Sequence, residues 1–293
     1  MTNHAVLDAL AGRRASVGEA IDFLRALAAH GGRLDAPADR PRPVVLPVGE
    51  GTRVLPNLTP LVALLLARYG VPVLMHGMPS AGGAGPAGAP TGGAGGESGA
   101  GRVTSAAVLR ELGILPAANL ADAQARLDRR NIAYLSTGVV VPGVAQPGAA
   151  GQPVEDRLPL RVLAALIDPF GGDGYRVVSV ARPEDLPWVR EILAATGADA
   201  LLLCGTEGEP FADPCRQPQL EHFVAGRASV CAEAEAALVG ARPALPAAVD
   251  APTTAAWIAR ALAGEHPLPA PIVAQLACCL SGAHRQSAQT ANS

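Results

Sequence analysis

The sequence predicts an α/β fold, in which buried strands alternate with helices that cover a sheet. Residues 44–77 carry the clearest pattern, because a strand, a glycine-containing loop, a helix and a second strand follow one another. The same alternation returns between residues 175 and 205, as strand, helix and strand. Apolar residues make up 49% of the chain and charged residues 17%, so most of it is expected to be globular rather than disordered.

The beginning of the chain is predicted to be helical. Residues 5–12 and 17–30 have helical patterns, and Ser16 and Glu19 stand at the spacing of a capping box at the start of the second helix. Residues 34–43 are rich in proline and aspartate, which predicts a linker between this part and the first strand.

The α/β part is predicted from the strand that begins at residue 44 onwards. The elements that follow are a helix at 58–69, a strand at 71–75, a helix capped by Thr104 or Ser105, a helix around 121–130, an extended segment at 132–141, a helix at 158–166, a strand at 175–181, a helix at 184–196, a strand at 200–205, a helix opened by Pro252 and a last helix at 270–282. Residues 78–101 are a glycine-rich sequence without an apolar period, which predicts a flexible insertion, and residues 143–156 predict a second loose loop.

Three segments are therefore predicted along the chain. Residues 1–37 form a helical lobe, residues 42–282 form the α/β domain, and residues 283–293 form a disordered polar tail. No apolar run reaches membrane length, and the N-terminus has no secretory pattern, so a cytoplasmic protein without a membrane partner is expected.

The loop after the first predicted strand has the geometry of a phosphate site. Gly49 and Gly51 lead into a helix whose entrance carries Asn57 and Thr59, and backbone N–H groups converge on an anion at such a place. The same loop carries Glu50, which is itself an anion. All 23 basic residues are arginine, so no lysine is present to neutralise a phosphate.

Charge and cysteine content limit the function classes. The formal net charge is −3, with 13 arginines against 10 acidic residues in residues 1–130, so a nucleic-acid surface would have to be local and mostly N-terminal. The five cysteines include no CxxC pair, and the sequence therefore predicts neither a zinc site nor a disulfide framework. Cys278 and Cys279 are expected to pack in the core.

Five segments together resemble a known family. They are NLTPLVALLLARYGVPVLMHG, GRVTSAAVLRELGI, LIDPFGG, ALLLCGTEGEPFADPCRQP and APTTAAWIARALAGEHPLP followed by QLACCL. In this order they resemble the YbiB-type branch of the anthranilate phosphoribosyltransferase superfamily, from about residue 17 to residue 282. The resemblance implies a small helical lobe beside a larger α/β lobe of the nucleoside phosphorylase and phosphoribosyltransferase type. It also implies a homodimer, with a helical lobe that is shortened relative to the family.

The resemblance implies that much of the substrate site is lost. Anthranilate phosphoribosyltransferases hold phosphoribosyl pyrophosphate with a GTGGD loop, an N-x-S-T turn and a KHGNR strand end, and hold magnesium with an Asp-Glu pair. The GTGGD loop falls on residues 47–51 and keeps one glycine in place, and the lysine of KHGNR is Met75. The remnant phosphate site would consist of Gly49, Gly51, Asn57, Thr59, His76 and Gly77.

The metal carboxylates of the family have a possible counterpart in Glu207 and Glu209. They are separated by Gly208 rather than adjacent, and they either bind Mg²⁺ or cap the loop and pair with Arg216. His76 likewise either orients a phosphate or is a packed structural histidine.

Three functions remain open from the sequence, and one of them is a structural or regulatory protein that binds neither nucleic acid nor phosphoribosyl pyrophosphate. YbiB-type proteins are non-specific nucleic-acid binders, so the resemblance implies a catalytically degenerate protein that binds DNA or RNA without a required cofactor. Its candidate binding residues are Arg53, Arg102 and Arg110, although solvated surface arginines would give the same pattern. The alternative is an active glycosyl- or phosphoribosyltransferase that uses phosphoribosyl pyrophosphate and Mg²⁺ on an unidentified acceptor.

Overall fold

Seven strands form one mixed sheet in the computed structural model, which describes residues 15–77, 101–142, 158–235 and 243–284. The strands are β1 (Val44–Val48), β2 (Val73–Gly77), β3 (Ile132–Ser136), β4 (Tyr175–Val180), β5 (Ala200–Cys204), β6 (Leu220–Val224) and β7 (Arg227–Ala232). Their order is β3-β2-β1-β4-β5-β6-β7. The first five are parallel neighbours, whereas β6 and β7 are antiparallel. The predicted α/β class is confirmed.

Helices cover both faces of the sheet. One face packs against α1 (Val17–His30), α4 (Leu120–Arg130), α5 (Thr137–Val140), α6 (Leu158–Ala165) and α7 (Leu186–Ala195). The other face packs against α2 (Thr59–Arg68), α3 (Ser105–Glu111), α8 (Ala251–Leu262) and α9 (Ala270–His284). A sheet with two covered faces needs apolar side chains on both sides of its strands, which explains the continuous apolar runs in β1, β2 and β5.

Helix α1 begins at the predicted capping box. The Ser16 hydroxyl accepts from the Glu19 backbone N–H at 3.2 Å, while the Glu19 carboxylate accepts from the Ser16 backbone N–H at 2.8 Å. Phe23 and Leu27 are buried on the inner side of this helix, which packs against α7. Thr104 caps α3, as one of the two predicted alternatives.

The structure corrects several predicted elements. The segment predicted to be extended at 132–141 is β3 followed by the short helix α5, and the helix predicted at 184–196 begins as a 3₁₀ turn (Pro183–Asp185) before α7. Strands β6 and β7 were not predicted. The last helix continues two residues further than predicted, to His284.

Other predictions fall partly or wholly on residues outside the described ranges. These are the helix at 5–12, the insertion at 78–101 apart from Gly101, the loop at 143–156 and the tail from residue 285. The boundary between a helical lobe and the α/β domain stays a prediction. Among the described residues, no helix combines the length and the apolar character that a bilayer crossing requires.

Candidate functional site

The candidate site lies where the parallel strands end. Val48, Gly77 and Ser136 are register partners at the carboxyl ends of β1, β2 and β3, so the residues that follow these strands meet at one edge of the sheet. The loop after β1, residues 49–55, contacts the loop after β5, residues 205–212. In open α/β sheets this edge is where ligands bind.

The Glu207 carboxylate lies against the backbone of the loop after β1. One oxygen accepts from the backbone N–H of Arg53 at 2.8 Å, and the other accepts from those of Val54 at 2.9 Å and Leu55 at 3.2 Å. Three successive N–H groups that point at one anion form a nest, which is an arrangement that binds phosphate in other proteins. Here the anion in the nest is a side chain of the protein itself.

Glu209 contacts the same loop two residues before the Glu207 contacts begin. It is fully buried, and its Oε1 accepts from the Gly51 backbone N–H at 2.8 Å. Glu207, at φ +52°, lies within a 3₁₀ turn (Thr206–Gly208), and Glu209 is the residue that ends this turn. The structure therefore shows the loop-capping role that the sequence left open, and no described ion pair joins Glu207 to Arg216. Magnesium binding by the two glutamates stays a prediction.

Asn57 is committed to contacts within the protein. It is fully buried; its Nδ2 donates to the Val103 carbonyl at 3.0 Å, and its Oδ1 accepts from the Thr59 backbone N–H at 3.1 Å. Thr52 and Val103 form a two-hydrogen-bond antiparallel bridge beside it, at 3.1 and 2.8 Å. These bonds attach the segment before α3 to the loop after β1. Asn57 therefore holds these two segments of the candidate site together.

His76 is a buried, uncharged imidazole at neutral pH. Its Nδ1 is 3.0 Å from the Thr137 hydroxyl, and burial lowers its pKa from 6.5 to about 4, against a smaller opposing effect of the Asp168 charge. Its Nε2 is buried without a hydrogen-bond partner in the described part of the protein, as is the Thr59 hydroxyl. Gly77 follows because a Cβ there would lie 2.5 Å from the Val48 side chain. Met75 and the neutral His76 therefore supply no positive charge to a phosphate at this strand end.

Comparison with known proteins identifies the family of this chain. No family model matches it. It is 34% identical to the uncharacterized protein YbiB of Escherichia coli (strain K12) over 276 residues, which are 94% of this chain and 80% of that protein. The chain belongs to the YbiB-type, anthranilate phosphoribosyltransferase-like family.

Enzymes of the wider superfamily share the fold. The anthranilate phosphoribosyltransferase of Thermus thermophilus superimposes with a TM-score of 0.62 at 22% identity, covering 94% of this chain and 76% of that one. The Saccharomyces cerevisiae enzyme, solved with PRPP and Mg, gives a TM-score of 0.58 at 14% identity, over 92% and 72%. An anthranilate phosphoribosyltransferase from Methanosphaerula palustris is 29% identical over 150 residues, 51% of this chain and 39% of that protein.

The three candidate arginines of this YbiB-type chain lie on the two segments that the bridge joins. Arg53 follows Thr52 and Arg102 precedes Val103, so the antiparallel register places these two arginines opposite each other. Arg102 donates to the Gly51 carbonyl at 2.6 Å and is half-buried. Arg53 and Arg110 are exposed, and Arg110 stands in α3, the helix that follows the bridge.

Two further arginines, Arg40 and Arg42, serve the fold. Arg40 donates to Asn131 and to the last carbonyls of α4, at 2.9–3.2 Å. Arg42 pairs with Asp199 at 2.7 Å, and both side chains are mostly buried. The sequence could not separate these structural arginines from exposed ones, because their partners lie 87 to 157 residues away along the chain.

Replacing Glu207 by alanine should lower the free energy of unfolding by about 1–2 kcal/mol, because three N–H groups lose a charged acceptor and regain only water. Urea unfolding followed by circular dichroism measures this change. The matched control is Glu265→Ala, which removes an exposed carboxylate paired with Arg260 at 2.8 Å. We expect the control to cost less than about 0.5 kcal/mol. If Glu207→Ala and Glu265→Ala lose the same free energy of unfolding, the three N–H groups do not stabilise the protein through the Glu207 carboxylate.

Proposed function

We propose that this protein binds DNA or RNA non-specifically through Arg53, Arg102 and Arg110, and that it has lost phosphoribosyl transfer. The observation that carries the proposal is the Glu207 carboxylate seated on three backbone N–H groups of the loop after β1. A nest that already holds an anion repels a pyrophosphate rather than binding it.

The surroundings of the nest support the loss of transfer chemistry. A pyrophosphate leaving group needs cations or Mg²⁺ to neutralise its developing charge. Met75 stands where the related enzymes have a lysine, and His76, with its pKa near 4, is neutral. The anion-binding groups of the described loop are backbone N–H donors, and Glu207 and Glu209 already occupy them.

The arginines beside this site support binding to a polyanion. Non-specific affinity for nucleic acid comes from counterions that Arg and Lys release from the phosphates. Arg53 and Arg110 have exposed side chains, and Arg102, which uses Nη1 on the Gly51 carbonyl, has further N–H donors. Arg53 and Arg102 lie opposite each other in the register of the bridge, and Arg110 lies further along the same segment, in α3. The role that YbiB-type resemblance implies agrees with this arrangement, and a cytoplasmic homodimer is part of the same proposal.

The test is fluorescence anisotropy with a mixed-sequence duplex and the matching single strand, at about 50 and 200 mM salt. We expect micromolar or tighter binding that weakens steeply with salt. The double variant Arg53→Gln/Arg110→Gln should reduce the slope of log K against log salt by about 1.8 for duplex DNA, and adding Arg102→Gln by about 2.7 in total, since each phosphate contact contributes about 0.9.

The matched control is Arg129→Gln/Arg130→Gln, which removes two exposed arginines at the end of α4. This variant should bind like the original protein. Absence of binding at low salt, or equal losses in the two double variants, would contradict the proposed surface. Because Arg53 and Arg110 are exposed, circular dichroism of the double variant is expected to match that of the original protein.

A transferase that uses phosphoribosyl pyrophosphate and Mg²⁺ is the second candidate function. It is favoured by the buried Nε2 of His76 and hydroxyl of Thr59, which have no partner in the described part of the protein and stand at the predicted phosphate site. It requires Glu207 and Glu209 to leave the loop and bind the metal. Calorimetric titration with phosphoribosyl pyrophosphate and Mg²⁺ separates the two functions, since only the transferase predicts metal-dependent binding.

A further inference from the structure

A second cluster of chemically active side chains lies away from the candidate site, on the face of the sheet covered by α8 and α9. A ring nitrogen of His222 and the sulfur atoms of Cys231 and Cys278 all lie within 4.8 Å of one another. They come from β6, β7 and α9. His222 and Cys278 are buried and Cys231 is half-buried.

We propose that His222, Cys231 and Cys278 bind a zinc ion, with a water molecule as the fourth ligand. Imidazole and thiolate are the ligands that zinc prefers, and three protein ligands with one open position are an established zinc geometry. Ligands at about 2.1–2.3 Å from a tetrahedral zinc lie about 3.5–3.8 Å apart, so the three ligand atoms need to approach one another by at most about 1 Å. Half-exposed Cys231 leaves a path for the ion and for the water.

The backbone at Cys231 departs from the regular strand, and this departure places its side chain in the cluster. Leu220 pairs with Ala232 while Glu221 pairs with Val230, so Cys231 is the extra residue of a β-bulge. Bulges redirect a side chain out of the regular alternation of a strand. In this bulge the Cys231 sulfur lies 3.4 Å from the Leu220 carbonyl, on the side of the sheet that faces Cys278.

Tyr175 orients the imidazole. Its hydroxyl hydrogen-bonds to His222 Nδ1, which leaves Nε2 as the ring nitrogen for a metal. A metal-binding histidine usually donates its other N–H to an oxygen, and this contact fixes the ring and the tautomer. A cysteine that serves only as a small apolar core residue packs against other apolar side chains. Cys231 and Cys278 instead lie beside a buried imidazole that Tyr175 holds in place.

The site would fasten α9 to the edge of the sheet. One turn before Cys278, the buried Gln275 side chain accepts from the Ala212 backbone N–H at 2.8 Å and donates to the Pro210 carbonyl at 2.9 Å. Metal binding at neutral pH converts two thiols to thiolates and releases their two protons to solvent, while His222 binds as the neutral ring. Zinc is neither reduced nor oxidised in this step.

The test uses the full chain, kept reduced and treated with a chelator, and Co²⁺ as a spectroscopic probe. We expect one equivalent of Co²⁺ to produce a sulfur-to-cobalt charge-transfer band in the near ultraviolet, and one equivalent of Zn²⁺ to remove it. Cys231→Ser and Cys278→Ser should each weaken zinc affinity by more than about 100-fold, since losing an orienting partner alone costs about 10–100-fold. Zinc should also raise the Tm of the original protein and not that of these variants.

Two further variants keep the proposal falsifiable if a serine variant fails to fold. Tyr175→Phe keeps the buried ring and should weaken zinc binding about 10-fold by releasing His222. Cys204→Ser/Cys215→Ser removes two cysteines outside the cluster and should leave the cobalt spectrum unchanged. The proposal is overturned if no sulfur-to-cobalt band forms, or if zinc affinity is the same in Tyr175→Phe and Cys204→Ser/Cys215→Ser as in the original protein.

Discussion

Replacing Gly51 by alanine is expected to lower the free energy of unfolding by about 4 kcal/mol. Two costs add. Gly51 has φ +92°, a backbone conformation that an alanine adopts only with strain. The new Cβ would also lie 2.4 Å from the Val103 carbonyl oxygen, which is fixed by its bonds to Thr52 and Asn57. Equilibrium unfolding in urea measures the loss.

Gly70→Ala separates these two costs. Gly70 has a similar φ of +80°, but a Cβ there meets nothing within 4 Å. Its substitution should therefore cost only the backbone strain, about 1–2 kcal/mol. If both variants lose the same free energy, the close approach of the loop to the segment before α3 contributes nothing to stability.

Acidification is expected to destabilise the protein through His76. Its pKa is about 4 in the folded protein and 6.5 is its ordinary value, so between these values the unfolded chain binds more protons than the folded one. The contribution of His76 to stability is complete above pH 6.5 and is lost as the pH falls towards 4. The expected loss is about 2 kcal/mol at pH 5 and about 3 kcal/mol near pH 4.

Urea unfolding of the original protein and of His76→Asn, at pH values between about 7.5 and 4.5, measures this dependence. The asparagine variant is less stable at neutral pH, and the difference between the two proteins should shrink as the pH falls, because only one of them has the titrating ring. His30→Asn, an exposed position on α1, is the control and should keep the original pH dependence. A constant difference between the original protein and His76→Asn would show that His76 does not titrate on unfolding.

Strands β1, β2 and β5 were predictable because they are buried on both faces and are mostly apolar runs. Strands β6 and β7 were missed for the opposite reason. Strand β6 contains Glu221 and His222, which are polar yet buried, and β7 is mostly exposed. Arg190 pairs with Glu221 at 2.6 Å and Tyr175 bonds to His222, so the groups that offset the cost of burial lie outside the strand.

The candidate site was predictable in its residues and not in its contacts. The glycines of the loop after β1 and the alternating glutamates after β5 are visible in the sequence. That Glu207 occupies the N–H groups of Arg53, Val54 and Leu55 depends on contacts between residues more than 150 positions apart. The proposed zinc ligands have no motif spacing at all, because a sheet edge and a helix bring them together.

The sequence by itself determined the α/β class, the capping box of α1 and the family, because these depend on local periodicity and on motifs read in order. Only the tertiary structure decided which glutamate and arginine side chains make contacts within the protein and which are exposed. It placed two carboxylates on the backbone N–H groups of the loop after β1, paired Arg42 with the mostly buried Asp199, and left Arg53 and Arg110 exposed. The physical reason is that the role of an ionisable group depends on burial and on partners, and both are set by residues distant in the chain.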